Sequence, residues 1–288
     1  MSQAVIASPR PLRLWRLARH SPSFIFGGAV VALILLVALV AVFWTPYGPL
    51  TVSTGRELLP PSWGHPMGTD QYGRDVLSRL MSGTDLTLLS SLGAVLIAGL
   101  VGIPAGLLAA SRGGGTGELI MRTADLIYSF PALLAAITLV AAFGASTTTA
   151  TVAIGIASIP SFARVTRGAA LAILATEYVR AARAYGRSPL AILRRHVVPN
   201  IAPFIIVQTS LLLSVTVLAV AALSYLGLGT PPPTATWGGM LENAQSYLYQ
   251  DPLLAIWPGL AIALSVLGFN ALGDGLRDLL DPTLRGRE

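Results

Sequence analysis

The sequence predicts an all-α, polytopic integral membrane protein with six transmembrane helices, and three observations carry that prediction. Of its 288 residues, 53% are hydrophobic and only 11% are charged. A soluble chain carries about 25% charged residues, so this one has too little polar surface to cover a globule in water. Six apolar segments meet or approach the roughly 20 residues that a helix needs to cross a bilayer: 24–44, 86–110, 126–143, 148–162, 201–226 and 253–272. Finally, the arginines sort to alternate connections, sixteen on one side of the spans and three on the other, and no lysine occurs.

Residues 1–23 hold Arg10, Arg13, Arg16 and Arg19 ahead of the first span, 24–44, which has no charge. That apolar run is longer than the roughly 7–15 residues of a secretory leader, and no A-x-A site follows, so a retained span is expected. The loop 45–85 is rich in Pro, Gly and aromatics and carries Arg56, Arg74 and Arg79. Residues 86–272 form a five-helix core. Its first span has Gly93, Gly99, Gly102 and Gly106, the last two as GxxxG, a pattern that lets membrane helices approach closely. Arg112 and Arg122 precede the third span. The fourth contains Pro160, which membrane helices tolerate, and Arg164 closes it. A polar loop at 166–198 holds seven arginines if Arg164 is counted with it. A second Pro- and Gly-rich loop spans 227–252, and the tail 273–288 ends with Arg277, Arg285 and Arg287. The positive-inside rule makes the sixteen-arginine side cytoplasmic, with both termini inside. The net charge of +6 is thus accounted for by topology, and no nucleic-acid partner is expected.

Cysteine is absent, which removes thiolate metal sites and a thiol nucleophile. No charge falls centrally in a span, which disfavours an ion-coupled carrier; Asn270, deep in the last span, reads as a packing residue. His20, His65 and His196 lie outside the spans, and no HExxH or GxSxG motif occurs. Ser158 therefore lacks an intramembrane base, and the chain is not expected to be an enzyme. His65 with Asp70 and Asp75 would be the candidate metal cluster, but HPMGTD reads as a turn and cap, so no metal is expected. Gly113-Gly114-Gly115 is not followed by GKS or GKT, so no phosphate loop is present.

The segment EYVRAARAYGRSPLAILRRHVVPN, 177–200, is the conspicuous polar stretch. Thr176 is placed to cap a helix that has Glu177 in its first turn. Ala181, Ala182 and Ala184 are strong helix formers with little bulk, and Gly186 suits a left-handed stop. Ser188-Pro189 starts a second helix as N-cap and first residue. On periodicity alone, two readings stay open: a solvated connector that enforces topology, or a small-faced handle for a soluble partner.

The residues of this loop carry a specific resemblance. Glu177, Tyr178, Val179, Ala181, Ala182, Arg183, Ala184, Gly186, Ser188, His196, Pro199 and Asn200 resemble the EAA loop of binding-protein-dependent ABC importer permeases, in the form found in the peptide and nickel branch. Arg180 stands where the general motif has Glu, and Tyr185 and Arg187 replace commoner small or aliphatic residues. HPMGTDQYGRDVLSRL at 65–80, YLGLG at 225–229 with Pro232-Pro233 and Trp237-Gly238, and PGLAIALSVLGFNALGDGLRDLLDP at 258–282 are similar to signatures of the C-type permease of that branch. Together they cover about residues 10–285. The resemblance implies a type I importer permease in a bacterial cytoplasmic membrane. Its implied partners are a homologous B-type permease, ABC ATPase subunits that bind ATP and Mg, an external solute-binding protein and the lipid bilayer. No cofactor is implied in this chain. Glu177, Arg180, Ala181, Ala182, Arg183, Gly186, Ser188, His196 and Pro199 become candidates for ATPase coupling. Trp63, Asp70, Arg74 and Trp237 become candidates for contact with the binding protein or for the outer gate. Peptides are the first expected cargo, with nickel chelates, glutathione, haem or opines carried on the same architecture.

Overall fold

A computed structural model describes residues 21–280. The predicted basic stretch with Arg10, Arg13, Arg16 and Arg19, and the last two arginines, Arg285 and Arg287, lie outside the described residues. Ten helices follow in order: α1 Pro22–Phe43, α2 Val76–Arg112, α3 Gly114–Ser129, α4 Ala132–Phe143, α5 Thr147–Leu174, α6 Glu177–Ala184, α7 Pro189–Ile192, α8 Val198–Tyr225, α9 Trp237–Ala244 and α10 Leu253–Leu280. Five of them are long and apolar enough to cross a membrane, and α3 with α4 pass the same test as a pair bent by 83°, which gives six spans when the pair crosses as one. The six-span, all-α prediction is met, with three corrections to its boundaries.

The third span is broken. Pro131 lacks an N–H, and its ring excludes the helical conformation at the residue before it. Phe130 accordingly sits in extended backbone, φ −86° and ψ 131°. The second span begins at Val76 instead of Leu86, because Asp75 accepts the Ser78 N–H at 2.8 Å and caps the helix there. The fourth continues through Pro160 to Leu174. Arg164 does not stop it, because its guanidinium donates to Asp125 at 2.7 Å and lies over the Tyr128 ring at 4.2 Å.

Helix α2 packs along α5, and α8 and α10 close the bundle beside them. Helix α1 is peripheral: it lies on α10, and Gly27 is its only buried residue. Leu33, Leu35, Leu36 and Leu39 of α1 are exposed, which suits a lipid-facing helix. The GxxxG pair does what its spacing suggests. A Cβ on Gly102 would stand 2.6 Å from the Ile159 carbonyl oxygen, and one on Gly106 would stand 2.7 Å from Thr166 Cβ. Gly106→Ile is therefore expected to force α2 and α5 apart at a cost of about 1–3 kcal/mol, read as a lower unfolding temperature in detergent. Gly259→Ala should leave that temperature unchanged, since nothing lies within 4 Å of that position.

Interior hydroxyls are tied down within the bundle. Ser210 Oγ donates across to the Phe269 carbonyl at 2.8 Å, and Ser214 Oγ donates to Asn270 Oδ1 at 2.9 Å. Asn270 thus joins α8 to α10, the packing role expected of it.

Candidate functional site

Two polar assemblies stand at opposite ends of the bundle. At the arginine-rich end, Ala175–Pro199 forms a compact knuckle between α5 and α8. Helix α6 ends in a Schellman turn: the Gly186 N–H donates to Arg183 O at 2.9 Å, and the Arg187 N–H donates to Ala182 O at 3.1 Å. That turn requires a left-handed residue, and Gly186 has φ +75°. Ser188 Oγ then accepts the Ala191 N–H at 3.3 Å and starts α7 with Pro189 in its first turn. Both the stop and the restart agree with the sequence prediction. Thr176 departs from it. It holds the N-cap position of α6 but its hydroxyl donates backward to Ile173 O at 2.6 Å, so it caps the end of α5.

Between α7 and α8 the backbone widens into a π turn, Leu193–Val197, where the Val198 N–H reaches back five residues to Leu193 O. Pro199 and Pro203 lie just beyond and offer no N–H to a regular ladder. The widened turn lets α7 run on into α8 without a break, so the knuckle and the long helix form one element. Asn200 Nδ2 fastens the junction by donating to His196 O at 2.6 Å.

One face of the knuckle is anchored and the other is bare. Val179, Ile192 and Val197 are buried with Ala110 of α2, Ala170 and Leu174 of α5, and Ile201 of α8. Tyr178 packs against His196 with ring centroids 5.9 Å apart. The opposite face exposes Glu177, Arg180, Ala181, Arg183, Tyr185, Gly186, Ser188 and Pro199, with Ala182 half-buried. Glu177 and Arg180 approach to 3.5 Å but both are exposed, so the pair contributes little to stability. Small alanines and two arginines on α6, with an exposed tyrosine at its end, sit on a knuckle rooted in three membrane helices and make a rigid surface on which a partner can push.

At the other end, residues 45–75 fold into a cap held by buried charge. Asp70 Oδ1 accepts the N–H groups of Tyr72 at 2.9 Å and Arg74 at 3.0 Å, while Oδ2 accepts from Arg74 Nε at 2.7 Å. Arg79 Nε lies 3.4 Å from the same oxygen, and its Nη1 donates to Pro49 O at 3.1 Å. Asp75 Oδ2 accepts from Ser78 Oγ at 2.6 Å and Asp75 Oδ1 meets His65 Nδ1 at 2.9 Å. Each of the three candidate metal-binding side chains is thus committed to a partner within the protein. Gln71 Nε2 donates to Asn243 Oδ1 of α9 at 3.3 Å, and Trp237 Nε1 donates to Leu80 O at 3.2 Å, which ties the second loop to α2.

This geometry separates the four outer-face candidates. Asp70, Arg74 and Trp237 are buried and hold the cap together, and of the four only Trp63 projects fully into solvent. The sequence named all four as candidates for contact with the binding protein or for the outer gate, and their burial bears on the first of these roles alone. Sequence reasoning missed Arg79, which shares Asp70 with Arg74; its place four residues after the Asp75 cap, on the first turn of α2, was the available signal.

The comparisons with known proteins agree with this arrangement. Residues 102–286 match the family described as binding-protein-dependent transport system inner membrane component, and residues 12–61 match the N-terminal transmembrane domain of oligopeptide transport permease C. Over 275 residues, 96% of this chain and 92% of the relative, it is 37% identical to the probable D,D-dipeptide transport system permease protein DdpC of Escherichia coli. It is 40% identical over 291 residues to the di/tripeptide transport system permease protein DppC of Pseudomonas aeruginosa, covering 99% of this chain and 96% of that one. The glutathione transport system permease protein GsiD of Pectobacterium atrosepticum is 39% identical over 272 residues, 94% of this chain and 90% of the relative. Among solved structures, an inward-facing form of the MetNI methionine ABC transporter shares the fold, with a TM-score of 0.59 at 18% identity over 70% of this chain and 96% of that one. The chain therefore belongs to the family of binding-protein-dependent transport system inner membrane components, as a multi-pass, C-type ABC permease subunit.

Proposed function

We propose that this chain forms one half of the membrane passage of an ATP-driven importer for di- and tripeptide-sized solutes. The observation that carries the reading is the knuckle: a bare, small-residue surface whose underside is buried against α2, α5 and α8. A homologous permease completes the passage, ATPase subunits that hold ATP and Mg grip the knuckle, and an external binding protein delivers the solute. The arginine distribution supports a cytoplasmic knuckle and cytoplasmic termini. Closing of the ATPases then moves α6 and α7, and because α7 continues into α8, the displacement passes to the passage wall. The result is rocking between inward- and outward-open states. The chain itself makes and breaks no covalent bond.

The peptide reading draws on relatives named for D,D-dipeptides and for di- and tripeptides. Relatives named for glutathione support that solute as a second cargo, and it is itself a tripeptide. In vesicles holding this permease with its partner subunits, labelled dialanine should accumulate only with ATP and the binding protein present. Glutathione uptake by the same vesicles separates the two cargoes. Accumulation driven by a proton gradient without ATP would overturn the importer reading. Trp63→Cys should react with an impermeant thiol reagent added outside intact cells. Trp63→Ala should raise the binding-protein concentration needed for half-maximal uptake; labelling only from inside refutes the orientation.

A further inference from the structure

A cavity of about 450 Å³ opens into the bundle. It lies between α5 and α8, beside the break that separates α3 from α4, and Tyr128, Phe130, Ser158, Ser161, Gln208 and Val215 are among its walls. A second cavity of about 360 Å³ shares Gln208 and Leu211 with it and continues past Phe204 to Asn200 and Arg277, toward the arginine-rich end. The lining positions fall at 157, 158, 161 and 165 on α5 and at 200, 203, 204, 207, 208, 211, 212 and 215 on α8. These spacings select one face of each helix.

Two independent features say what that face meets. First, no hydrogen-bond partner reaches Ser158, Ser161 or Gln208 among the described residues, although the neighbouring Thr209, Ser210 and Thr216 hydroxyls all bond backbone carbonyls. A polar group left unsatisfied in hydrocarbon costs several kcal/mol, which disfavours a lipid-facing position for all three together. Second, the backbone at Phe130-Pro131 is not helical, and irregular backbone at membrane depth survives only when buried in protein or lining a watery cavity. Tyr128 and Phe130 are 57% and 60% exposed, which excludes burial within this chain. The wall of this first cavity also carries no charged residue; the Arg164 guanidinium beside Tyr128 is already paired with Asp125.

We propose that Tyr128, Ser158, Ser161 and Gln208 line this chain's half of the solute passage and hold solutes by uncharged hydrogen bonding. Hydroxyl and carboxamide groups exchange donors and acceptors with the amide backbone of a short peptide, whatever its side chains. A passage built this way discriminates little by charge and leaves selection to the binding protein. The proposal rests on the permease reading above.

The absence of cysteine gives a direct test in the assembled transporter, with partner subunits also freed of cysteine. Ser161→Cys and Gln208→Cys should react with a small, membrane-impermeant thiol reagent about tenfold faster than Leu36→Cys on α1, because the reactive thiolate forms only where water reaches. Saturating dialanine, with binding protein and ATP, should slow both reactions severalfold, and Gln208→Leu should raise the KM for dialanine uptake while ATPase activity is retained. Reaction rates at 161 and 208 as low as at 36, in a complex that still transports, overturn the proposal; a partner helix or lipid then seals the cavity. Fast reaction without protection by dialanine, in vesicles that take up no peptide, leaves the passage standing and refutes the peptide reading alone.

Discussion

Asp70→Ala is expected to prevent accumulation of the folded protein. One carboxylate there balances two buried guanidinium groups, Arg74 at 2.7 Å and Arg79 at 3.4 Å, and also receives two backbone N–H groups. Removing it leaves two like charges facing each other inside the cap. Loss of one member of a buried pair costs about 3–5 kcal/mol, a large share of the roughly 5–15 kcal/mol that stabilises a typical fold. Asp70→Asn keeps an acceptor for the backbone groups and should fall between wild type and alanine. Yield and unfolding temperature of the purified complex measure the series. An Asp70→Ala protein as stable as wild type would show that Arg74 and Arg79 find other partners.

Gly186→Val is expected to spare folding and damage transport. Nothing lies within 4 Å of a Cβ built at this position, so no clash contributes. The penalty is backbone conformation: a left-handed φ of +75° costs an L-residue about 1–2 kcal/mol, and more when it is β-branched. Opening the Schellman turn frees α7 from α6 and depopulates the surface offered to the ATPases. A loss of about 1.4 kcal/mol corresponds to a tenfold fall in the competent population, so uptake should drop about tenfold while the binding protein still docks. Gly186→Asn should be mild, since asparagine tolerates this conformation. The ratio of solute carried to ATP hydrolysed is the informative measurement; an unchanged ratio with Gly186→Val would remove the lever mechanism.

Local chemistry made much of this protein legible in its sequence. Apolar length gave the spans because a helix must satisfy its backbone within the bilayer, and hydropathy reports that directly. The stop at Gly186 and the restart at Ser188-Pro189 were readable because each depends on a few adjacent residues. The GxxxG at 102–106 announced a close helix approach, although not that α5 would be the helix it meets. Where the sequence misled, distant residues decided. The third span read as one apolar run, yet Phe130 before Pro131 turns it through 83°. The fourth was expected to end near Arg164, but Asp125, thirty-nine residues earlier, neutralises that arginine and lets the helix continue.

The knuckle at 177–200 and the cap at 45–75 show the division most clearly. By itself the sequence determined membrane residence, the number of spans, the two-helix form of the knuckle and the family that its motifs resemble, since all of these follow from composition, spacing or short-range backbone rules. Tertiary structure decided which residues face outward. It turned Val179 inward as an anchor, buried Asp70, Arg74 and Trp237 beneath the cap, and left Ser161 and Gln208 partly open along the cavity wall. Exposure depends on what packs opposite a residue, and that neighbour comes from remote chain that no local pattern encodes.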